Sequence, residues 1–158
     1  MLISLFKTCS IQVTTTDVAA LYATIANGGV IPGSERRIVS EKTCQDILAL
    51  MLSCGMYDYS GEAAYTIGQP AKSGISGCIA LVVPRKFALC VYSPRIDSYG
   101  NSVRGIEVLQ RVVKKFQLHG FSMQASGVWR SIHSQLAIQG LFERCECASV
   151  GSCYDLLY

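Results

Sequence analysis

The 158-residue chain is long enough for one domain with a hydrophobic core, and its length gives no reason to expect two complete domains. Half of its residues are hydrophobic and only 16% are charged, so we expect some apolar surface to meet a partner or further sequence. The formal net charge is only +3 and the 14 basic residues are scattered along the chain, which argues against a nucleic-acid-binding protein.

The sequence also argues against a membrane or secreted protein. No apolar stretch approaches the roughly 18 to 20 residues of a membrane-spanning helix. The apolar residues 1–6 have no basic region before them and no small-residue cleavage site after them, so no secretory signal is predicted. We therefore expect a cytoplasmic protein, or a mitochondrial one if an upstream targeting segment exists.

The eight cysteines favour reduced thiols over a disulfide framework. The last three, Cys145, Cys147 and Cys153, form a C-x-C-x5-C cluster that could hold zinc, but a clear fourth ligand and C-x2-C spacing are lacking. We therefore predict neither a metal nor a cofactor and keep a zinc-binding module as a minor alternative. The other five cysteines are dispersed singly among apolar residues: Cys9, Cys44, Cys54, Cys78 and Cys90.

Two amphipathic helices are predicted in the first third of the chain. The first follows N-cap candidates at residues 14–17 and stops at Asn27 and two glycines. The second begins near Ser40 and Glu41 and stops at residues 54–55. A brief helix or turn is predicted at residues 58–68.

A β-hairpin and a third helix are predicted next. Residues 71–83 read as one strand and residues 87–92 as a second, with a tight turn between them. Apolar residues recur at helical spacing from Val103 to Phe116, so this helix should pack on one face of the hairpin. We expect residues 122–158 to form a divergent tail of low order, after a domain at 1–121.

Two features of this region suggest a catalytic site. Lys72, Ser73 and Gly74 at a predicted strand fit the Lys-Thr/Ser-Gly element of penicillin-recognising serine hydrolases, although such a tripeptide by itself more often marks an ordinary polar strand end. Tyr57 follows the end of a helix and could relay a proton, with Lys72 as the neighbouring cation that lowers its pKa. The alternative is a half-buried tyrosine whose hydroxyl bonds to the backbone.

The order of several motifs resembles the C-terminal part of the glutaminase family. The motifs are CGMYDYSG at 54–61, GQPAKSGISG at 68–77 and PRIDSYGNSVRG at 94–105, together with CSI at 9–11, ANGG at 26–29 and MLS at 51–53. The resemblance covers about residues 5–121.

This resemblance implies an α/β (α+β) fold similar to the serine β-lactamases and penicillin-binding proteins, with an antiparallel hairpin packed by helices. It implies hydrolysis of L-glutamine to L-glutamate and ammonia through an acyl-enzyme. Tyr57 and Lys72 would be catalytic. Ser73, Gly74 and the backbone N–H of Ile75 would bind substrate and the oxyanion. No metal would take part.

The chain departs from the family pattern in two ways. The family's nucleophile, in a Ser-x-x-Lys motif, lies in the upstream half, which this sequence lacks, and a substrate-binding tyrosine of the family falls on Leu5. Ser4 and Lys7 also spell Ser-x-x-Lys, but at the wrong place relative to Cys9. We therefore expect the chain alone to be inactive.

Two functional hypotheses follow. The chain contributes half of a glutaminase site, with partners that are L-glutamine and a homo-oligomeric or complementing subunit, or it is a non-catalytic fragment that associates with a full-length glutaminase. The high apolar content and the strands without upstream neighbours favour association, because exposed strand edges pair readily.

Overall fold

The computed structural model of the protein describes residues 2–122 and 148–152, except for the side chains of Leu5 and of 148–152. The helices in this part of the chain are α1 (Leu2–Cys9), α2 (Thr15–Ala26), α3 (Glu41–Cys54), α4 (Ser60–Thr66) and α5 (Val103–Phe116). The strands are β1 (Ala71–Ser73), β2 (Cys78–Val83), β3 (Phe87–Tyr92) and β4 (Ala148–Ser152). A 3-10 turn at Tyr57–Tyr59 precedes α4.

The strands form one antiparallel sheet in the order β1-β2-β3-β4. Leu81 of β2 lies opposite Leu89 of β3, and side chains alternate between the two faces along each strand. Both faces are covered by helices, which explains why β2 and β3 are almost continuously apolar.

One face of the sheet carries the larger core. Ile79 and Leu81 of β2 pack there with Leu109 and Val113 of α5, and residues from the α4 region complete the cluster. On the other face, Val82 packs against Ala26 of α2 and Met51 of α3. The predicted fold class, an antiparallel hairpin packed by helices, is therefore confirmed, and so is the packing of α5 on the hairpin.

The three predicted helices are present, and α2 and α3 begin at the cap candidates of the sequence, whereas α5 is predicted from its apolar spacing alone. The side chains of Thr14, Ser40 and Ser102 each accept a backbone N–H at the start of α2, α3 and α5, which satisfies one of the free donors of each first turn. Gly55 follows the last residue of α3, and the brief helix expected within 58–68 corresponds to α4.

The prediction of a single strand over 71–83 is wrong. The chain turns between Ser73 and Cys78 and returns, so that Ala71 of β1 lies opposite Leu81 of β2. The turn closes through the N–H of Gly74, which donates to the carbonyl of Cys78 at 2.9 Å. Gly77 has a φ of +94°, a conformation that L side chains rarely adopt, so the glycines mark a reversal of the chain.

Part of the predicted tail joins the sheet. β4 pairs with β3, with Val150 opposite Leu89. Residues 123–147 and 153–158 lie outside the described residues, and with them the three cysteines of the zinc alternative. Among the described residues no cluster of potential ligands is arranged to hold a metal ion. None of the described helices is long and apolar enough to cross a membrane.

The capping box of α2 makes a pH-dependent contribution to folding. Asp17 accepts the backbone N–H of Thr14 at 2.8 Å and its hydroxyl at 2.7 Å, and these bonds, the backbone one first, lower the pKa of the carboxyl below its ordinary value. Because the folded pKa is depressed, the stabilisation is present above the unfolded pKa. It is lost as the pH falls through the folded pKa.

We expect Thr14→Ala to raise the pKa of Asp17 towards its ordinary value, because the hydroxyl bond is lost while the backbone bond remains. An NMR titration of the Asp17 carboxyl in both proteins measures this shift. Equal midpoints would contradict the observed capping geometry.

Candidate active site

Tyr57 is held in an uncommon backbone conformation at the start of the 3-10 turn. Its φ is +54°, which is rare for a residue other than glycine and is found where the surrounding structure imposes it. The hydroxyl of Ser60 donates to the Tyr57 carbonyl at 2.6 Å and accepts the Met56 N–H at 3.0 Å. The Tyr57 side chain remains 42% exposed, so its phenol is accessible at the protein surface.

Lys72 reaches Tyr57 from β1. Its Nζ lies 4.9 Å from the centroid of the Tyr57 ring, within the range of a cation–π contact, and donates to the Ser73 carbonyl. Burial lowers the pKa of Lys72, while the nearby Cys54 acts in the opposite direction. The two residues singled out from the sequence as a tyrosine and its cation therefore do lie together.

The turn after β1 presents the predicted oxyanion residues. The N–H of Ser73 donates to the Gly55 carbonyl at 3.0 Å, which ties β1 to the segment that precedes Tyr57. Ile75 is 75% exposed, and its backbone N–H has no acceptor within the part of the chain that the structure describes. A Cβ added at Gly74 would contact only Ser76 Oγ, at 3.6 Å, so the space beside this backbone is open.

A loop after β3 completes the arrangement. Asp97 Oδ1 accepts the N–H groups of Tyr99 and Asn101, both at 2.9 Å, and so shapes the loop. A Cβ added at Gly100 would lie 3.6 Å from the Tyr57 ring and 3.8 Å from Cγ2 of Ile75. Gly100 thus places a backbone segment without a side chain next to both Tyr57 and Ile75.

Asn101 links this loop to Met56, the residue that precedes Tyr57. It is fully buried, and its Nδ2 donates to the carbonyl of Met56 at 3.2 Å. Its Oδ1 is buried without a hydrogen-bond partner among the described residues. No sequence motif predicted a role for Gly100 or Asn101, because their place beside Tyr57 depends on contacts across about 45 residues of chain that no local pattern reveals.

The chance Ser-x-x-Lys sequence does not form a comparable site. Ser4 and Lys7 lie on α1 and are both exposed, whereas a serine activated by a lysine must be held with it beneath the substrate.

Comparison with known proteins identifies the family. The glutaminase family model matches residues 1–121. The putative glutaminase 3 of Caenorhabditis elegans is 46% identical over 116 residues, which are 73% of this chain and 20% of that protein. The glutaminase of Microcystis aeruginosa is 46% identical over 115 residues, which are 73% of this chain and 34% of that protein.

A solved structure agrees in fold. The crystal structure of the covalent complex between a Bacillus subtilis glutaminase and 5-oxo-L-norleucine superposes with a TM-score of 0.69 at 36% identity, over 72% of this chain and 40% of that one. The chain spans only about a fifth to a third of the curated relatives it matches. Sequence and fold agree over most of the described residues, and the chain belongs to the glutaminase family.

Proposed function

We propose that this chain supplies the tyrosine and strand-edge part of an active site that hydrolyses the side-chain amide of L-glutamine to L-glutamate and ammonia. The observation that carries the proposal is the convergence of Tyr57, Ile75 and Gly100 beside the Lys72 ammonium, in a chain of the glutaminase family. Amide hydrolysis by acyl transfer needs a nucleophile, a proton relay and donors to the oxyanion. The chain offers candidates for the proton relay and for the oxyanion donors.

Tyr57 is the candidate proton relay. Tyr57 is 42% exposed, and the Lys72 ammonium lies 4.9 Å from the centroid of its ring, so the phenol is open to a substrate beside a fixed cation. The fixed backbone around Met56 and Ser60 restricts where the ring can point, and a fixed position is what a relay group needs.

Ile75 is the candidate oxyanion donor. Its N–H has no acceptor among the described residues, so it can donate to a substrate oxygen, and a backbone donor held by a closed turn needs no reorganisation during the reaction. Ser73 and Gly74 would lie along the same substrate edge, where the missing side chain of Gly74 leaves room for the substrate.

The reaction would pass through a covalent intermediate. The Bacillus subtilis relative forms a covalent complex with 5-oxo-L-norleucine, a compound that carries a carbonyl carbon where glutamine carries its side-chain amide. Support for acyl-enzyme chemistry in this chain comes from that similarity. The attacking serine would come from the Ser-x-x-Lys of upstream glutaminase sequence, because Ser4, which also precedes a lysine at this spacing, lies exposed on α1.

The test measures ammonia release from glutamine by three preparations: the 158-residue chain alone, the chain with the upstream half of the Microcystis aeruginosa glutaminase in trans, and the two halves fused in the family's order. Loss of the nucleophile from a set of catalytic residues that act together costs on the order of a million-fold in turnover, so the chain alone should release no measurable ammonia. The fusion should be active. A folded but inactive fusion, or full activity of the chain alone, would contradict the proposal.

A second candidate function is a non-catalytic subunit that associates with a full-length glutaminase or with another copy of this chain. An exposed apolar surface on α1 and the segment after it favours association, because exposed apolar side chains are often interaction sites. Its side chains are Leu2, Ile3, Phe6, Ile11 and Val13.

Association is tested separately from activity. Size-exclusion chromatography at micromolar concentration, with and without a full-length glutaminase, should reveal a complex if the apolar surface is an interface. A monomer that does not co-elute with the full-length protein would refute this function. The fusion assay would still decide the catalytic proposal.

A further inference from the structure

Two cysteines on adjacent strands lie in contact beneath α2. Cys78 begins β2 opposite Tyr92, and Cys90 on β3 lies opposite Ala80, so the two thiols are diagonal neighbours on one face of the sheet. Their side chains lean towards each other, and the two Sγ atoms are 3.3 Å apart. Both thiols are free in this structure.

The two thiols differ in access. Cys90 is fully buried, whereas Cys78 is partly exposed and lines a cavity of about 470 Å³ between β2 and the segment that leads into α2. Val18 of α2 and Tyr92 of β3 form other walls of this cavity. Among the described residues, no acidic or basic side chain lines it, and Cys78 is the cysteine that faces it.

The two thiols also differ in acidity. The hydrogen bond with Cys90 lowers the pKa of Cys78 to about 7, and the same bond, together with burial, raises the pKa of Cys90. Tyr22 of α2 is close enough to the pair to interact with it electrostatically; burial is the main reason that the pKa of this tyrosine is raised. Either thiol can donate in the contact between the two sulfurs, and the lower pKa and greater exposure of Cys78 make it the attacking sulfur of the pair.

We propose that Cys78 and Cys90 are a modification site: a dithiol that reacts with a hydroperoxide and closes to an intrachain disulfide. An S–S bond is about 2.05 Å long, so the sulfurs must approach each other by roughly 1.2 Å from their present contact. The site is built from one accessible sulfur and one hidden partner, the arrangement that separates an attacking cysteine from a resolving one.

The reaction balances with hydrogen peroxide as the oxidant. The Cys78 thiolate attacks one peroxide oxygen, the O–O bond breaks, and the departing hydroxide takes up a proton to become water, which leaves a sulfenic acid on Cys78. The sulfur of Cys90 then attacks the Cys78 sulfur as its own proton is lost, the S–O bond breaks and a second water leaves. Two thiols are oxidised and one peroxide is reduced to two waters.

The sequence permits a direct assay. Trypsin cleavage after Lys72, Arg85, Lys86 and Arg95 places Cys78 on peptide 73–85 and Cys90 on peptide 87–95, each without another cysteine. After treatment of the intact chain with hydrogen peroxide, non-reducing mass spectrometry should find these peptides joined, two hydrogens lighter than their sum. A reductant should separate them. Oxidation of Cys78 to the sulfinic acid without a cross-link would overturn the proposal, as would a predominant cross-link to another cysteine.

Three variants separate the two roles. In Cys90→Ala, a small replacement beside Ala80, the cross-link should disappear and dimedone should trap a sulfenic acid on Cys78. In Cys78→Ser, Cys90 should stay unmodified because it is buried. Cys54→Ser, which changes an exposed thiol at the end of α3, should leave the cross-link unchanged. Peroxide modification of Cys90 in Cys78→Ser would overturn the assignment, and circular dichroism verifies that each variant is folded.

Discussion

Tyr57→Phe should lower the turnover of glutamine by about 10²- to 10⁴-fold in the fusion that carries this chain, because a positioned proton relay contributes that much to a rate. The substitution removes only the phenolic oxygen. The ring stays, and with it the contact that places Lys72 Nζ 4.9 Å from its centroid. The loss should therefore appear in kcat, with little change in stability.

A matched control lies eight residues away in α4. Tyr65 is 84% exposed, so Tyr65→Phe removes a phenol of the same kind from solvent and should leave kcat within about twofold of the parent, since surface substitutions of this type have small effects.

Lys72→Met separates the cation from the phenol. It keeps an unbranched apolar side chain against the Tyr57 ring while removing the charge, so we expect turnover to fall and the pH dependence of kcat to change.

If Tyr57→Phe and Tyr65→Phe behave alike in the active fusion, Tyr57 is a packing residue and the proposed relay is wrong.

The elements that could be predicted are those whose signals are local. The helix starts at Thr14, Ser40 and Ser102 each rest on a side chain that bonds to a backbone N–H three residues on. The break between β1 and β2 is not predicted because residues 71–83, apart from Lys72, are small or apolar, which fits one buried strand as well as two. The pairing of Ala71 with Leu81 and the positive φ of Gly77 show that there are two.

The candidate site also has a part that the sequence predicts and a part that only the fold shows. Tyr57 and Lys72 could be paired from the order of motifs, but the sequence gives no sign that the ammonium faces the ring. The contributions of Gly100 and Asn101 depend on a loop that returns across the fold to the Met56 carbonyl. Such contacts are set by the packing of α5 and the sheet, so a local pattern could not reveal them.

Gly55→Ala should destabilise the chain by about 3 kcal/mol, near the upper end of what overpacking a buried contact costs. The backbone at Gly55, with φ −72° and ψ −19°, suits alanine, so the cost arises from space alone. An added Cβ would lie 1.9 Å from the Ala71 carbonyl oxygen and 2.4 Å from that of Met51. Both are backbone atoms, so neither can move aside without displacing β1 or the end of α3.

The same substitution should disturb the candidate site. The Gly55 carbonyl accepts the Ser73 N–H at 3.0 Å, and this bond holds the Lys72 strand against the segment that leads to Tyr57. Pushing β1 away from α3 therefore moves Lys72 and the turn of Ile75 relative to the phenol. In the fusion, Gly55→Ala should lose activity at temperatures where the protein is still folded.

Gly61→Ala is the matched control for stability. Gly61 lies within α4, and a Cβ there would meet nothing within 4 Å, so alanine should stabilise the chain by up to about 1 kcal/mol through its higher helix propensity. Urea unfolding of the two variants and the parent measures both free energies. Because domains are stable by only about 5 to 15 kcal/mol, opposite shifts of this size are well resolved. A Gly55→Ala protein as stable as the parent would mean that β1 does not approach α3 as closely as described.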